Sequence, residues 1–570
     1  MRSEPALSGY SLKSNIPTYL VILAVSLAIF LYLFPFNVLD PTSTSWIWRE
    51  ADFQQHFLGW QFFVNESFYQ WPLTNLTSLG NGIARSIIFT DSIPLVALLL
   101  KPVARFSGLE IQYFGIFIWL SIFLQALFSF HYLLAKRLPP SQALPLCFLP
   151  AISPPILFRA TCHTSLTAQW LILAALLLCE TKRFRFYLWI SILSLALWIH
   201  LYFFAMLFPL FSLKLTRCLR EKSRAQFLGV RKILIGFALI LSQLYALGYL
   251  PRNASDAGSS GYGLFTTNLL SLFSSYPNLS GLYPSFRLPY GSEEGIIFFG
   301  SIVSLMALVV LSTGPGRAVF LSSLRRDKSL LLLLMLMLLY SISPRISISN
   351  YSHELFSLPH VFQSFANIFR ASGRFAWPIY YFVFLSFLVS FPSAIASLSQ
   401  QRFKRISLAL ICCCMLFFQL ADLSTYASER RVQFQSHFFE DPIIKVVEKT
   451  ITDLEVDYPS KITYFPNFGN PPKWAAFARF ALRHNASTNG VYLARYDNDK
   501  MNEQDALNRS HFRSNSLDRT ALYVLTDPSY LNGLHIGKCS PSKPSTQSID
   551  HCLLEPGENE YILLPLSARR

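Results

Sequence analysis

The chain has 570 residues, of which 52% are apolar and 14% charged, and it carries a formal net charge of +16. Apolar runs close to 20 residues long match the thickness of a bilayer, which excludes an ordinary soluble protein. The basic residues lie in short loops between these runs and form no patch interleaved with base-stacking aromatics, which argues against nucleic acid as a partner. The sequence therefore predicts a polytopic α-helical membrane protein.

The first apolar segment, at about 17–36, is long for a signal peptide and predicts a retained signal anchor. Arg2 and Lys13 precede it, so residues 1–16 are predicted to lie in the cytoplasm. The next loop, at about 38–110, is then predicted to be extracytoplasmic.

This first outer loop contains two carboxylates, Glu50 and Asp52, in front of an amphipathic run. Its apolar residues are Phe53, Phe57, Leu58, Trp60, Phe62, Phe63 and Val64. The spacing predicts a helix in the membrane interface, with one face in lipid and one in water, and with both carboxylates at its positive N-terminal end. Farther along, Asp91 precedes an apolar piece broken by Pro94 and Pro102, which predicts an interfacial or re-entrant helix and not a span. The three acids can equally serve as helix caps.

Ten further segments bring the predicted number of transmembrane helices to about 11. They lie at about 111–134, 141–158, 165–180, 186–199, 201–216, 233–250, 296–313, 329–343, 374–392 and 407–421. Lys and Arg outnumber acids several-fold in the loops that this order places in the cytoplasm, as basic residues near span ends resist translocation. The transmembrane domain is therefore predicted over 17–425.

From about residue 426 the composition becomes polar, which predicts a small extracytoplasmic α/β domain over 426–570. A helix is predicted at 442–454, with Asp441 as its cap, and strands at 461–465, 520–525 and 561–564. Cys539 and Cys552 lie in this polar tail, and outside the cytoplasm they predict a disulfide.

Ionisable side chains near membrane depth are the main functional candidates, because burying a charge is unfavourable unless it is paired or used. Those on the predicted outer side are Glu50, Asp52, His56, Asp91, His163, His200, Glu293, Glu294, His353, Arg370 and Arg374. A carboxylate there can take a proton from an acceptor hydroxyl, and an arginine at the end of a span can bind a lipid phosphate. Arg370 and Arg374 are four residues apart and would share a helix face. Snorkelling arginines and packed histidines are the structural alternatives.

One span, a long outer loop with an acidic pair, many further spans and an outer C-terminal domain resemble the GT-C superfamily of membrane glycosyltransferases. Three stretches, Asp52–Trp60, Thr90–Leu95 and Phe369–Phe375, also resemble a bacterial family of unknown function with that plan. The resemblance covers about 17–425. It implies a polyprenyl-phosphate sugar donor, a glycan or lipid acceptor and a first-loop acid as base, which is Asp52 here. Glu50 completes an acid-x-acid pair that can bind a divalent cation, although many members work without metal.

We therefore expect an inverting glycosyltransferase of the cytoplasmic membrane, acting on its outer face. Asp52 would be the base, while Glu50 and Asp91 would orient the base or the acceptor. The remaining candidates would bind the substrates, namely Arg374, Arg370, His56, His200, His163, Glu293 and Glu294. Two alternatives stay open: a transporter or lipid flippase, which would favour mid-span charges and an internal repeat, and a non-catalytic assembly protein.

Overall fold

A computed structural model describes residues 16–220, 229–250, 261–398, 405–435, 441–467, 471–493, 498–532, 534, 536–539, 550–556 and 561–566. The chain divides into two compact units. The helical unit comprises residues 1–43, 112–243 and 259–436, and the α/β unit comprises residues 44–111, 244–258 and 437–570. Most of the predicted first outer loop therefore belongs with the C-terminal residues and not with the apolar helices that flank it in sequence. The predicted cytoplasmic N-terminus lies outside the described residues, except for Ile16.

Helices, most of them apolar, make up the larger part of the described residues of the helical unit. They are Ile16–Leu33, Phe114–Ala135, Pro140–Leu146, Phe148–Ala151, Pro154–Ala160, Trp170–Glu180, Phe186–Ile199, Leu201–Arg220, Val230–Ala246 (whose last residues belong to the other unit), Ser301–Ser312, Gly314–Arg325, Lys328–Ile342, His360–Ile368, Trp377–Leu398, Arg405–Asp422 and Ser424–Gln435. Strands β1 (Arg345–Ile348) and β2 (Tyr351–Glu354) form an antiparallel hairpin. Long apolar runs fold as helices because a helix satisfies every backbone polar group within the segment.

Ten of the eleven predicted spans each overlap one α-helix, and the predicted span 141–158 is divided among three short ones, Pro140–Leu146, Phe148–Ala151 and Pro154–Ala160. Within the described residues, four helices are long and apolar enough to cross a membrane, and the number is seven if each of three bent pairs is one span. Three shorter apolar helices, Thr164–Glu180, Phe186–Ile199 and Lys328–Ile342, accompany them. The chain is thus a helical membrane protein with four to seven candidate spans, and the count of about 11 stays a prediction.

Helix ends that were predicted to share one side of the membrane contact one another. At the predicted cytoplasmic ends, Glu180 forms ion pairs with Lys136 at 2.6 Å and with Arg326 at 3.2 Å. Arg217 forms a further ion pair with Asp327. These contacts agree with the predicted order of spans, which places all of these helix ends on one side of the membrane. Which side of the membrane that is stays a prediction.

Within its described residues, the α/β unit combines five α-helices with a six-stranded mixed sheet. The helices are Ala51–Asn65, Pro94–Ser107, Pro442–Asp453, Trp474–Arg483 and Asn498–Arg513. The strands are β3 (Lys461–Phe465), β4 (Ser487–Thr488), β5 (Ala521–Leu525), β6 (Gly537–Lys538), β7 (His551–Leu554) and β8 (Tyr561–Pro565), in the spatial order β4-β3-β5-β8-β7-β6. Strand β3 runs parallel to β4 and β5, whereas β8 is antiparallel to β5 and β7. The predicted helix and the three predicted strands of this region are all present.

Local signals explain the ends of several of these elements. The side chain of Asp441 accepts a hydrogen bond from the Ile443 amide and caps its helix, as predicted. Cys539 and Cys552 form a disulfide, with Cα atoms 5.0 Å apart. At the edge of the sheet, the Thr488 amide donates to the Ser78 carbonyl, so a first-loop residue extends the pairing of β4.

The two first-loop helices differ in their exposure. Ala51–Asn65 was predicted to lie between lipid and water, and this is wrong, because its polar residues Gln55, His56 and Gln61 are buried along with its apolar ones. The Gln61 side chain donates to the carbonyl of Ile111, which satisfies it inside the protein. Pro94–Ser107 is not among the candidate spans of the described residues, in agreement with the prediction.

Candidate functional site

The acidic pair of the first loop lies at the start of the Ala51–Asn65 helix. Glu50 is the N-cap residue, but its side chain makes no capping hydrogen bond, so capping does not explain it. Asp52 lies in the first turn and is half-buried. The helix dipole favours the anionic form of a carboxylate at that position. Asp52 therefore lies inside the helix and is not its cap.

Asp91 belongs to a strained turn that the structure places beside His56. The backbone of Asp91 has φ 53°, and Ile93 has φ 47°, a region that a β-branched residue rarely adopts. The next helix has Ile93 as its N-cap, so Asp91 does not cap it. Side-chain ligand atoms of His56 and Asp91 lie within 4.8 Å of each other. The turn thus brings together two predicted site residues that are 35 positions apart.

Contacts with the Ala51–Asn65 helix hold this turn in place. The Ser92 hydroxyl donates to the His56 carbonyl at 2.7 Å and lies 2.8 Å from the Thr90 hydroxyl. A Cβ atom on Gly59 would lie 2.1 Å from Oγ1 of Thr90, so only glycine allows the turn to approach the helix. The stretches Asp52–Trp60 and Thr90–Leu95 therefore form one packed substructure.

The same substructure offers metal-binding chemistry at a different place from the one predicted. A carboxylate oxygen and an imidazole nitrogen both suit divalent transition metals. His56 and Asp91 supply these atoms, whereas Glu50 and Asp52 belong to no group of three or more clustered ligands among the described residues. A cation at the acidic pair stays a prediction.

The helical unit contains a buried ion cluster centred on Glu294. Its Oε2 atom lies 2.6 Å from Nε of Arg374 and 2.6 Å from Nη2 of Arg159, and Nη1 of Arg159 reaches Oε1 at 3.3 Å. The two arginines are only 7% and 3% exposed. Burial by itself would raise the pKa of Glu294, but the two guanidinium groups hold the pKa well below its usual range. Glu294 is therefore ionised and orients both arginines.

Two glycines bring the partners of this cluster together. Glu294 lies in the short turn Ser292–Gly295, and Arg374 lies in the turn Ser372–Ala376. A Cβ atom on Gly373 would lie 2.7 Å from the Gly295 nitrogen, so the two turns touch through backbone atoms. The Gly373 amide also donates to the Phe265 carbonyl.

Histidine and tyrosine side chains surround the cluster. The guanidinium carbon of Arg374 lies 4.4 Å from the centre of the Tyr202 ring, and the Tyr202 hydroxyl accepts from the Ala371 amide. The rings of His163 and His200 lie 5.8 Å apart. Nδ1 of His200 accepts from the Tyr202 amide, so neutral His200 carries its proton on Nε2.

Arg370 and Glu293 have surroundings different from those of their neighbours. The helix His360–Ile368 ends before Arg370, so the predicted helix face shared by Arg370 and Arg374 is wrong. Arg370 instead lies 5.1 Å from the centre of the Phe265 ring. Burial raises the pKa of Glu293, whose Oε2 atom has no hydrogen-bond partner among the described residues.

The structure adds Arg159 and Tyr202 to the candidates. Arg159 was detectable in the sequence as a charged residue at the end of a predicted span, a position where charges are rare. Tyr202 had no such signal, since it is one of 26 tyrosines in the chain and tyrosine is common at membrane–water interfaces in general.

Comparison with known proteins identifies the family of the chain. A family profile described as "Domain of unknown function (DUF6311)" matches residues 23–424, and one described as "DUF6311 C-terminal domain" matches residues 456–541. A search of curated proteins gave no match.

Two archaeal enzymes from Archaeoglobus fulgidus are among the similar solved structures. Oligosaccharyltransferase AglB in complex with an inhibitory peptide and a dolichol-phosphate is 10% identical, with a TM-score of 0.40, and the match covers 90% of this chain and 70% of that one. An apo oligosaccharyltransferase is 9% identical, with a TM-score of 0.36, over 83% and 64% of the two chains.

Proposed function

The chain belongs to the DUF6311 family, and from its own residues we propose that it is a membrane glycosyltransferase of the GT-C type. In this proposal it moves a sugar from a polyprenyl-phosphate donor to a glycan or lipid acceptor, with inversion at the anomeric carbon. The reaction takes place on the outer face of the cytoplasmic membrane.

The observation that carries the proposal is the buried cluster of Arg159, Glu294 and Arg374. Guanidinium groups match the geometry of a phosphate through paired hydrogen bonds, and they bind best when their orientation is already fixed. Glu294 supplies that orientation through three contacts. Arg159 lies in the last turn of an apolar helix and Arg374 in the turn that precedes one, where the head group of a lipid-linked donor would be bound.

The catalytic step needs a base, and Asp52 is the proposed one. Its carboxylate takes the proton of the acceptor hydroxyl, and the oxygen attacks the anomeric carbon. The bond from that carbon to the phosphate oxygen breaks, and the polyprenyl phosphate leaves with the electron pair, assisted by Arg159 and Arg374. A single displacement inverts the anomeric configuration. Glu50 and Asp91 orient the base or the acceptor, and a cation at His56 and Asp91 would serve the same end.

The remaining predicted residues have supporting roles in this proposal. His163 and His200 contact the donor beside Arg374, and Glu293 contributes to the same turn as Glu294. Arg370 would hold the departing phosphate together with Arg374, and each of the two guanidinium groups lies over an aromatic ring.

The proposal is tested with the purified full-length protein in lipid nanodiscs and a polyprenyl-phosphate-linked hexose. Asp52→Asn should lower sugar transfer by about 10²-fold or more, as expected for loss of a general base. Donor binding by this variant should persist. Asp453→Asn, an exposed acid at the end of another helix, is the matched control and should retain full activity.

A second variant separates phosphate binding from base catalysis. Arg374→Lys keeps the positive charge but loses the paired hydrogen-bond donors of the guanidinium group. The KM for the donor should therefore rise more than kcat falls. Full transfer by Asp52→Asn would remove Asp52 from the mechanism. Movement of the lipid-linked sugar across a vesicle membrane without any transfer would favour the flippase.

A further inference from the structure

The helical unit contains a cavity that none of the proposed catalytic residues lines. Its volume is 430 Å³, within the range of about 300–1,000 Å³ that ligand pockets occupy. The β1–β2 hairpin and the segment that follows it form most of the wall. The lining side chains that matter are Tyr262, Arg345, Glu354, Phe356, His360 and Gln363.

Hydrogen bonds fix the walls of this cavity in advance of any ligand. The side chain of Asn268 donates to the Ser349 carbonyl at 2.9 Å and accepts from the Ser349 amide at 3.2 Å, which pins the turn of the hairpin. On the other wall, the Tyr262 amide donates to Oδ1 of Asn367 at 3.1 Å. The Tyr262 ring packs against Tyr340, with ring centres 5.3 Å apart. A pocket held in this way loses little entropy when it binds a ligand.

The cavity presents polar groups that the protein itself does not use. Within the described residues, the side chains of Glu354, His360 and Gln363 make no hydrogen bond or ion pair. Arg345 donates to the Ser352 hydroxyl through Nε and Nη2, which leaves Nη1 for a ligand. Arg345 and Glu354 face each other in the register of the hairpin, so charges of both signs line the cavity.

We infer that this cavity binds a neutral saccharide. Sugar hydroxyls are both donors and acceptors, and they suit a wall that offers a carboxylate, an imidazole, an amide and a guanidinium. The rings of Tyr262 and Phe356 provide apolar surface for the C–H face of a sugar. The opposite charges of Arg345 and Glu354 give no preference for an anion, and the polar wall does not suit a lipid tail. This inference names a saccharide as the acceptor class, and that role rests on the proposed function, whereas the binding itself does not.

Saturation-transfer NMR on the purified full-length protein, without donor, tests the inference. The probes are maltose, mannobiose and diacetylchitobiose, each at millimolar concentration. At least one should receive saturation from the wild-type protein. Glu354→Gln and Phe356→Ala should each weaken its binding about tenfold, since a charged hydrogen bond or a stacking face is lost.

Two neighbouring residues provide matched controls. His353 lies on the same strand as Glu354 but faces the opposite side, and Tyr351 is an exposed aromatic of the same hairpin. His353→Ala and Tyr351→Ala should bind the probe like the wild type. The inference is overturned if no saccharide binds, if the cavity variants bind like the controls, or if an uncharged tripeptide displaces the bound sugar.

The outcomes also separate this inference from the proposed transfer reaction. The protein could bind a saccharide, lose that binding in the cavity variants, and have no transferase activity. That result would support saccharide binding in the cavity and refute the proposed sugar transfer. Unchanged sugar transfer to saccharide acceptors by both cavity variants would refute the cavity as the acceptor site and would still support the proposed transfer reaction.

Discussion

Removing the charge of Glu294 should destabilise the helical unit strongly, because one carboxylate holds two buried guanidinium groups. Glu294→Gln keeps the size of the side chain but removes its negative charge, which Oε2 presents 2.6 Å from Arg159 and 2.6 Å from Arg374. Breaking a buried ion pair by removing one partner costs about 3–5 kcal/mol. We expect a loss in that range, measured as the unfolding free energy from tryptophan fluorescence in denaturant.

Glu293→Gln is the matched control, because it changes the neighbouring glutamate of the same turn. Burial raises the pKa of Glu293, so this variant should be as stable as the wild type or more stable at pH 8. Any gain should shrink as the pH falls, since the wild-type carboxyl then takes up a proton.

The pH dependence of Glu294→Gln should differ from that of the control. The pKa of Glu294 lies below its usual range, so the ion cluster contributes its stability at any pH above the unfolded-state pKa. The destabilisation should therefore be equal at pH 6 and pH 8. Equal effects of the two substitutions, or a loss below about 1 kcal/mol for Glu294→Gln, would show that the cluster does not support the fold.

Three further predictions concern the α/β unit. Gly59→Ala should lower the unfolding free energy of the protein by about 1–3 kcal/mol in thermal unfolding, because the new Cβ atom would lie 2.1 Å from Oγ1 of Thr90. Adding Thr90→Ala to this variant should restore part of the lost stability. Lys101 is buried, and burial lowers its pKa to about 8. Between pH 8 and 10.5 the folded protein has lost the proton of Lys101 while the unfolded chain still carries it, so the stability of the folded state should rise with pH. Lys101→Met should remove most of that rise in melting temperature. Asp441→Ala should lower the stability of the Pro442–Asp453 helix by about 1 kcal/mol, measured as faster amide hydrogen exchange in its first turn. Unchanged exchange would show that the Asp441 side chain does not stabilise the helix as its cap.

The sequence predicted much of the local structure. Continuous apolar runs marked eleven helical segments, although the prolines within 141–158 divide that segment into three short helices, and alternating or short apolar runs marked β3, β5 and β8. The Asp441 cap and the Pro442 start were also readable, because capping depends only on residues a few positions apart. The roles proposed for Asp52 and Glu50 rest on the resemblance and stay predictions.

Segment type and membrane character were thus determined by the sequence itself, since periodicity and polarity act within a short window. Only the tertiary structure decided which residues meet. It buried Gln55, His56 and Gln61 of the Ala51–Asn65 helix. It also joined Glu294 to Arg159 and Arg374, which are 135 and 80 positions away. The physical reason is that such contacts depend on how distant elements pack, and in this chain on glycines that let two backbones touch. No single stretch of sequence contains that information.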